Sequence, residues 1–372
     1  MQLSEGRNRF RLLVQFLLLM GLLSGCGGEP EVSPDAPAAA SGDKSPVAIT
    51  IGYQSPTAQT WGALIIKNQQ LYEKHLKSLE PDREFKVEWF DSPSGPPLNN
   101  GMIGGKIQMA FMGDMPLLSN GSKGQTEKNY RSVLLAFDGK GEKGKNQSVM
   151  VPNNGVESME DLKGKSVSVP LGSSAHRMML AALEKYGLSD EVEVVDHSVT
   201  VGMQSVEQNK IAAHATWEPY PTLMEHNGTG KLLLDGLETE IDYLDGIVAD
   251  LNWVESHPEY TVAFLKALME AHQFIQEKPE EAAKIFAEES KFPLEVCAKL
   301  VESIRFDAAL YQRDLKTLQG SVEFLIELGK LKDLDLEKFA DDSYLRKAAE
   351  EMGKPYLSDE ELKGDWIGNK LF

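Results

Sequence analysis

Nothing constrains the fold of this chain more than the alternation that begins at Val47. Short apolar runs, "VAITIG", "KVEWF", "KIQMAF", "SVLLAF" and "SVMV", are separated by stretches with helical spacing, one over about 58–75 and a short one ahead of Gly104. Strands divided by helices imply a parallel α/β sheet, because each helix returns the chain to start another strand in the same direction. The plan then repeats: "SVSVP", a helix over 174–186, "EVEVVD", a helix near Gln208, "KIAAHAT", a helix through Leu223 and "KLLLD". Two α/β lobes are expected. Open sheets of this kind take ligands at the carboxyl ends of their strands.

After "DGIVADLNWV" the strands stop. Ser256, Pro258 and Glu259 read as cap, early proline and capping-box acid of a long helix with Phe264, Leu265, Leu268, Ala271 and Ile275 on one face. Further helical patterns cover 280–289, 294–304 and 315–328, and are expected to buttress the first lobe.

The amino terminus is a different material. Arg7, Arg9 and Arg11 precede an apolar run from Leu12 to Leu23, which reads as an export signal over 1–25. Residues 26–46 are rich in Gly, Ser and Pro and lack aromatic side chains, so a flexible tether is expected there. The formal net charge of -19 excludes nucleic acid and anionic membrane surfaces as partners held by long-range attraction. Any anion must be held by local dipoles.

Two loops carry the chemistry. Gly172-Ser173-Ser174 lies between a strand and a helix, where the serines either cap the helix or, with the free amide groups there, hold an anion. Trp217-Glu218-Pro219-Tyr220 follows a small-residue strand; it is either an aromatic core cluster with Glu218 as a cap, or a cleft wall. Asp114 in "MGDMP" has the same two readings.

Other motifs fail in context. Gly139-Lys140-Gly141-Glu142-Lys143-Gly144 has the spacing of a dinucleotide loop, yet the strand "KNQSVMV" follows it where a helix is needed. Gly164-Lys165-Ser166 has Met159 where a phosphate loop has its first glycine. Gly172-x-Ser174-x-His176 lacks the second glycine of a hydrolase elbow, and no placed acid completes a triad. The seven histidines show no metal spacing. No catalytic group, metal or cofactor is expected, and Cys297 in "FPLEVCAKLVESI" reads as a small buried hydrophobe.

Several ordered motifs, "WGALIIKNQQLYEK", "DSPSGPPLNNGMIGGKIQMAFMGDMP", "DLKGKSVSVPLGSSAHRMMLAALEKYGL", "ATWEPYP" and "HPEYTVAFLKALMEAHQFIQEKPEEAA", together resemble the aliphatic-sulfonate, taurine and nitrate type of substrate-binding lipoproteins of bacterial ABC importers. The resemblance spans about 47–328. It implies a bilobal periplasmic-binding-protein-like α/β fold of type II, with parallel or mixed sheets, a hinge and a C-terminal helical buttress. Lobe one would take 47–145 and 250–372 and lobe two 146–249, with the chain crossing near 146–149 and 246–250.

By position, the family's ligand contacts fall on Tyr53, Gln54, Gln59, Thr60, Trp61, Ser94, Gly95 and Asp114, faced by Ser173, Ser174, His176, Trp217, Glu218 and Tyr220. Arg177 adds charge or points to solvent. The implied ligand is a small organic anion, an aliphatic sulfonate or taurine ahead of nitrate, bicarbonate or a thiamine-pyrimidine precursor. The implied partner is a membrane permease, and the chain is a monomer and not an enzyme, although related folds include a desulfinase. Leu23-Ser24-Gly25-Cys26 resembles a lipobox, which implies lipid at Cys26.

Overall fold

The computed structural model describes residues 46–368; the signal segment, Cys26 and nearly all of the tether lie outside them. The first sheet holds β1 (Val47–Tyr53), β2 (Phe85–Asp91), β3 (Met109–Gly113), β4 (Ser132–Gly141), β10 (Tyr243–Asp250) and β11 (Arg305–Phe306). Their order is β11-β4-β10-β3-β1-β2. The second holds β5 (Gln147–Val151), β6 (Ser166–Val169), β7 (Glu193–Asp196), β8 (Ala213–Trp217) and β9 (Lys231–Asp235), in the order β7-β6-β8-β5-β9.

Helices α1 (Gly62–Gln69), α2 (Leu71–Leu79), α3 (Gly95–Ile103) and α4 (Asp114–Thr126) alternate with the first strands. Helices α5 (Ser174–Lys185), α6 (Val199–Glu207) and α7 (Tyr220–Asn227) alternate with those of the second sheet. The last run comprises α8 (Leu251–Ser256), α9 (Pro258–Glu277), α10 (Pro279–Ser290), α11 (Leu294–Ser303), α12 (Gln312–Glu327) and three shorter helices between Leu336 and Lys363. Its apolar faces join the core of the first sheet, so the helical buttress stands as expected.

Both sheets are mixed, for a reason that the crossings supply. Strands β1, β3, β6 and β8 end at the edge where the two sheets meet. Strands β5 and β10 begin there, straight after a crossing, and must therefore run antiparallel to their neighbours. The return crossing differs from the expected one. All of β10 belongs to the first sheet, with Tyr243 opposite Gly141 and Asp250 opposite Ser132, so the chain crosses over 236–242 and not at 246–250. The outward crossing is 142–146, just ahead of β5.

Two helical expectations change as well. The run over 58–75 is broken at Gln70, whose left-handed φ of 52° lets α2 turn and bury Leu71, Tyr72 and Leu76. Ser256 ends α8 and does not cap α9; its hydroxyl donates to the Asn252 carbonyl, and Asp250 is the cap of α8.

The crossings are held tightly. A Cβ at Gly139 would stand 2.6 Å from the Gln59 backbone, and one at Gly141 would stand 1.9 Å from the Lys145 carbonyl oxygen, so these glycines serve close approach at the hinge. Asp242 in the return crossing accepts from the Lys143 backbone N–H at 2.6 Å and from both forks of Arg313 at 2.7 Å.

Candidate functional site

Facing strand ends bring four loops together where the lobes touch. The Ala58 N–H donates to the Glu218 carbonyl at 3.0 Å, and the Glu218 N–H donates to the Asn146 carbonyl at 2.9 Å. Gln59 Nε2 donates to the Tyr243 carbonyl at 3.3 Å, which ties the first loop to the start of β10. On the far side the Ser174 hydroxyl donates to Asp114 across the cleft. Arg177, one turn along α5, donates to the Ser321 hydroxyl at 2.8 Å and the Thr317 carbonyl at 3.3 Å on α12. It therefore bridges the lobes.

The opening of α5 divides its two serines. Ser173 is the cap: its hydroxyl accepts from the His176 N–H at 3.2 Å. Ser174 is left free to reach Asp114. Asp114 sits at the start of α4, accepts from its neighbour Met115 N–H at 2.7 Å and takes a further bond from Ser321 at 3.3 Å. Burial raises its pKa, opposed by the Ser174 bond and by Arg177.

Of the expected contacts, several are structural. Trp61 is fully buried, its ring centroid 5.1 Å from Phe286, and its indole N–H is spent on the Ser55 carbonyl at 2.9 Å. It belongs to the core because α10 covers it, so the expectation of a ligand-facing ring is corrected. Tyr53 is buried edge-on to Trp89 with Lys67 above it. Thr60 donates to the Gln54 carbonyl and shapes its own loop. His176 accepts the Gly172 N–H and sets its ring edge on Phe324 of α12, so it braces the loop. Ser94 is exposed, and Gly95 lies against Pro116.

The rest remain at the lobe contact. Tyr220 is half-buried and edge-on to Phe292 at 6.0 Å, a contact between lobes. Glu218 caps α7 by accepting from the Thr222 N–H and hydroxyl. Gln54 Oε1, Gln59 Oε1 and Trp217 Nε1 are buried with no hydrogen-bond partner within the protein. Such atoms are uncommon in folded proteins, and a bound water or ligand is one way to satisfy them.

Sequence reasoning missed Asn146, Gln147 and Asp245, each of which also buries an unpartnered polar atom. The available signal was a polar residue at the cleft end of an otherwise apolar strand, as in "NQSVMV" and "YLDGIVAD". Asp245 pairs with Gly113, next to Asp114, and its pKa is raised well above the usual carboxylate value by burial and then by Asp114 and Asp138.

Burial pushes the Glu218 pKa up to about 7, opposed by its Thr222 bonds. The folded protein thus holds this proton where the unfolded chain, near pH ~4.3, has lost it. Its contribution is full at low pH and is lost as pH rises toward 7. Glu218→Gln therefore shrinks the fall in urea midpoint between pH 5 and pH 8; an unchanged fall would refute the assignment.

Comparison with known proteins agrees with this architecture. The NMT1/THI5-like family model matches residues 142–282, which include the whole second sheet. A Bacillus subtilis (strain 168) protein assigned to aliphatic sulfonate binding is 25% identical over 344 residues, 91% of this chain and 97% of its own. The periplasmic aliphatic sulphonate binding protein SsuA from Escherichia coli superposes with a TM-score of 0.65 at 21% identity, covering 79% of this chain and 97% of that one. The periplasmic nitrate-binding protein NrtA from Synechocystis PCC 6803 gives 0.64 at 17% identity, over 83% and 90%. The chain therefore has the fold seen in SsuA, is similar in sequence to the Bacillus subtilis protein over nearly its whole length, and carries an NMT1/THI5-like region at residues 142–282.

Proposed function

We propose that the chain is the exported substrate-binding component of an ABC importer, which takes a small organic anion between its lobes and delivers it to a membrane permease. Aliphatic sulfonates and taurine are the favoured ligands. The observation that supports this most is the indole N–H of Trp217 together with the amide groups of Asn146 and Gln147, buried and unpartnered where the two lobes touch. Neutral dipoles suit a mobile anion, because they bind it without adding a fixed charge that would hold it too long. Trp217 and Tyr220 supply an apolar wall for the organic part, which nitrate and bicarbonate do not have.

A catalytic reading needs a reactive group. The described thiol, Cys297, is buried within α11, and burial pushes its pKa up to about 11, which keeps it in the unreactive thiol form. We read the chain as a binder, acting as a monomer and anchored by lipid at Cys26. Intact mass of membrane-fraction protein checks the anchor: it should begin at an acylated Cys26, and any other mature terminus refutes that step.

A thermal-shift screen of residues 47–372 against alkanesulfonates, taurine, nitrate and bicarbonate tests the ligand class. At 100 times its dissociation constant, a true ligand adds roughly 2.7 kcal/mol of stability. A shift with nitrate alone would replace the sulfonate reading with the inorganic one.

A further inference from the structure

Residues 364–368, the last that the structure describes, lie against the root of the hinge. Trp366 is pinned there: its indole N–H donates to Asp314 at 2.7 Å, and the carbonyl of the next residue, Ile367, accepts from Arg305 Nη2 at 2.7 Å. Its ring lies 4.3 Å from the Arg313 guanidinium, with the Arg305 guanidinium at 5.5 Å and the Lys140 ammonium at 5.4 Å. Three cations around one indole add their attraction to those bonds.

Arg313 is where this segment meets the crossings. Its Nε and Nη2 fork onto the two oxygens of Asp242, each at 2.7 Å, the bidentate form that fixes a guanidinium most firmly. Its Nη1 faces Glu142 at 3.3 Å and Asp365 at 3.4 Å. Asp242 directly precedes β10 and Glu142 directly follows β4, so one side chain grips both crossings where they leave the first sheet. Asp242 is buried and also accepts from the Lys143 N–H, which ties the crossings to each other. Further out they touch backbone to backbone: a Cβ at Gly144 would stand 2.4 Å from the Gly236 carbonyl oxygen.

The fork on Asp242 is only one arrangement open to a long arginine side chain. Glu142 and Asp365 compete for it, although their carboxylates are 57% and 91% exposed and hold it weakly. Trp366 covers one face of the guanidinium and so removes the alternatives in which it swings out to solvent.

We propose that 364–368 is a strap for the hinge: by seating Arg313 beneath Trp366 it anchors both crossings and confines the bending to 144–146 and 236–241. With the strap in place the lobes turn on a short, defined pivot. Without it residues 142 and 242 join the flexible stretch, the parted arrangement gains conformations, and closing the lobes costs more. This goes beyond the proposed function and rests on it only for the effect on a ligand.

Hydrogen exchange of the ligand-free protein, read by mass spectrometry, tests this with a chain stopped after Lys363, with Arg313→Lys and with Trp366→Phe. Peptides over 142–146 and 236–242 are expected to exchange at least about tenfold faster in the first two, the order expected for losing a desolvated cation–π contact or a bidentate pair. Trp366→Phe keeps a ring over Arg313 and should fall between them and the parent. Peptides of β1 and β3, in the same lobe, should exchange as in the parent. If the stopped chain fails to fold, the two point variants carry the comparison. A rise shared equally by β1 and β3 makes the segment an ordinary part of the core and overturns the inference, as does an unchanged rate at the crossings. In calorimetry with ethanesulfonate, Arg313→Lys is expected to bind about threefold to tenfold more weakly. Equal affinity despite faster crossings overturns the bearing of the strap on closure. A parent that does not bind ethanesulfonate overturns the sulfonate reading, and the exchange rates still decide the strap.

Discussion

Asp314→Ala lowers the free energy of unfolding by about 3–5 kcal/mol, the range found when one partner of a buried ion pair is removed. Lys140, at the end of β4, is fully buried, and its ammonium donates to Asp314 and to the Ala309 carbonyl, each at 2.7 Å. The rings of Phe137, Tyr311 and Trp366 surround it, with centroids 4.8, 4.7 and 5.4 Å away. Asp307 stands at 4.0 Å, too far for a hydrogen bond. Without Asp314 the charge stays buried with one carbonyl, three aromatic faces and Asp307 at 4.0 Å as its nearest carboxylate.

The same carboxylate also accepts from the Tyr311 N–H at 3.0 Å and the Trp366 indole N–H at 2.7 Å. Asp314→Asn, which keeps an acceptor oxygen for one of those two bonds but loses the charge, should fall between parent and alanine variant. Urea unfolding measures all three. A loss below about 1 kcal/mol for the alanine variant would mean that water reaches Lys140 and that the pair is not a buried one. The site has a bearing on the hinge, because Arg313 beside Asp314 holds Asp242 in the return crossing and lies 4.3 Å beneath the Trp366 ring.

What the sequence made legible follows from the range of each signal. Strand and helix alternation is local, and it located both sheets and the helical buttress. The crossing over 236–242 was not legible, because "YLDGIVAD" is an apolar strand pattern that fits either sheet; only its pairing with β3 and β4 decides. Trp61 shows the same limit. It stands one residue before a helix in a loop that does reach the cleft, but Phe286 and Phe292, more than two hundred residues later, cover it. Ser173 and Ser174 are adjacent and chemically alike, and the helix start alone separates their roles, since the cap bond uses one and frees the other.

Gly320→Leu is expected to weaken ligand binding by roughly tenfold to a hundredfold while unfolding stability stays near that of the parent. Gly320 lies within α12, and a Cβ there would stand 2.3 Å from Arg177 Nη2. Arg177 comes from the other lobe, so the clash exists only when the lobes touch. Filling that space costs about 1–3 kcal/mol by the usual penalty for overpacking. In the parted arrangement the substitution relieves a mid-helix glycine, a gain of roughly 0.5–1 kcal/mol. A ligand enters only if the rims that meet at Ser174 and Asp114 separate, and it is enclosed only when they meet again. A penalty on the touching form lowers affinity by the factor by which it lowers the touching share of unliganded protein, and so acts in full when the unliganded protein is mainly parted. Calorimetry with whichever probe anion the parent binds reads the loss, and small-angle scattering should show a larger radius of gyration for the variant under the same ligand. Adding Arg177→Ala removes the guanidinium that clashes and should recover part of the affinity, a coupling that a folding defect would not produce. Unchanged affinity in Gly320→Leu would mean that binding does not require α5 to close on α12, and would place the moving contact elsewhere along the cleft.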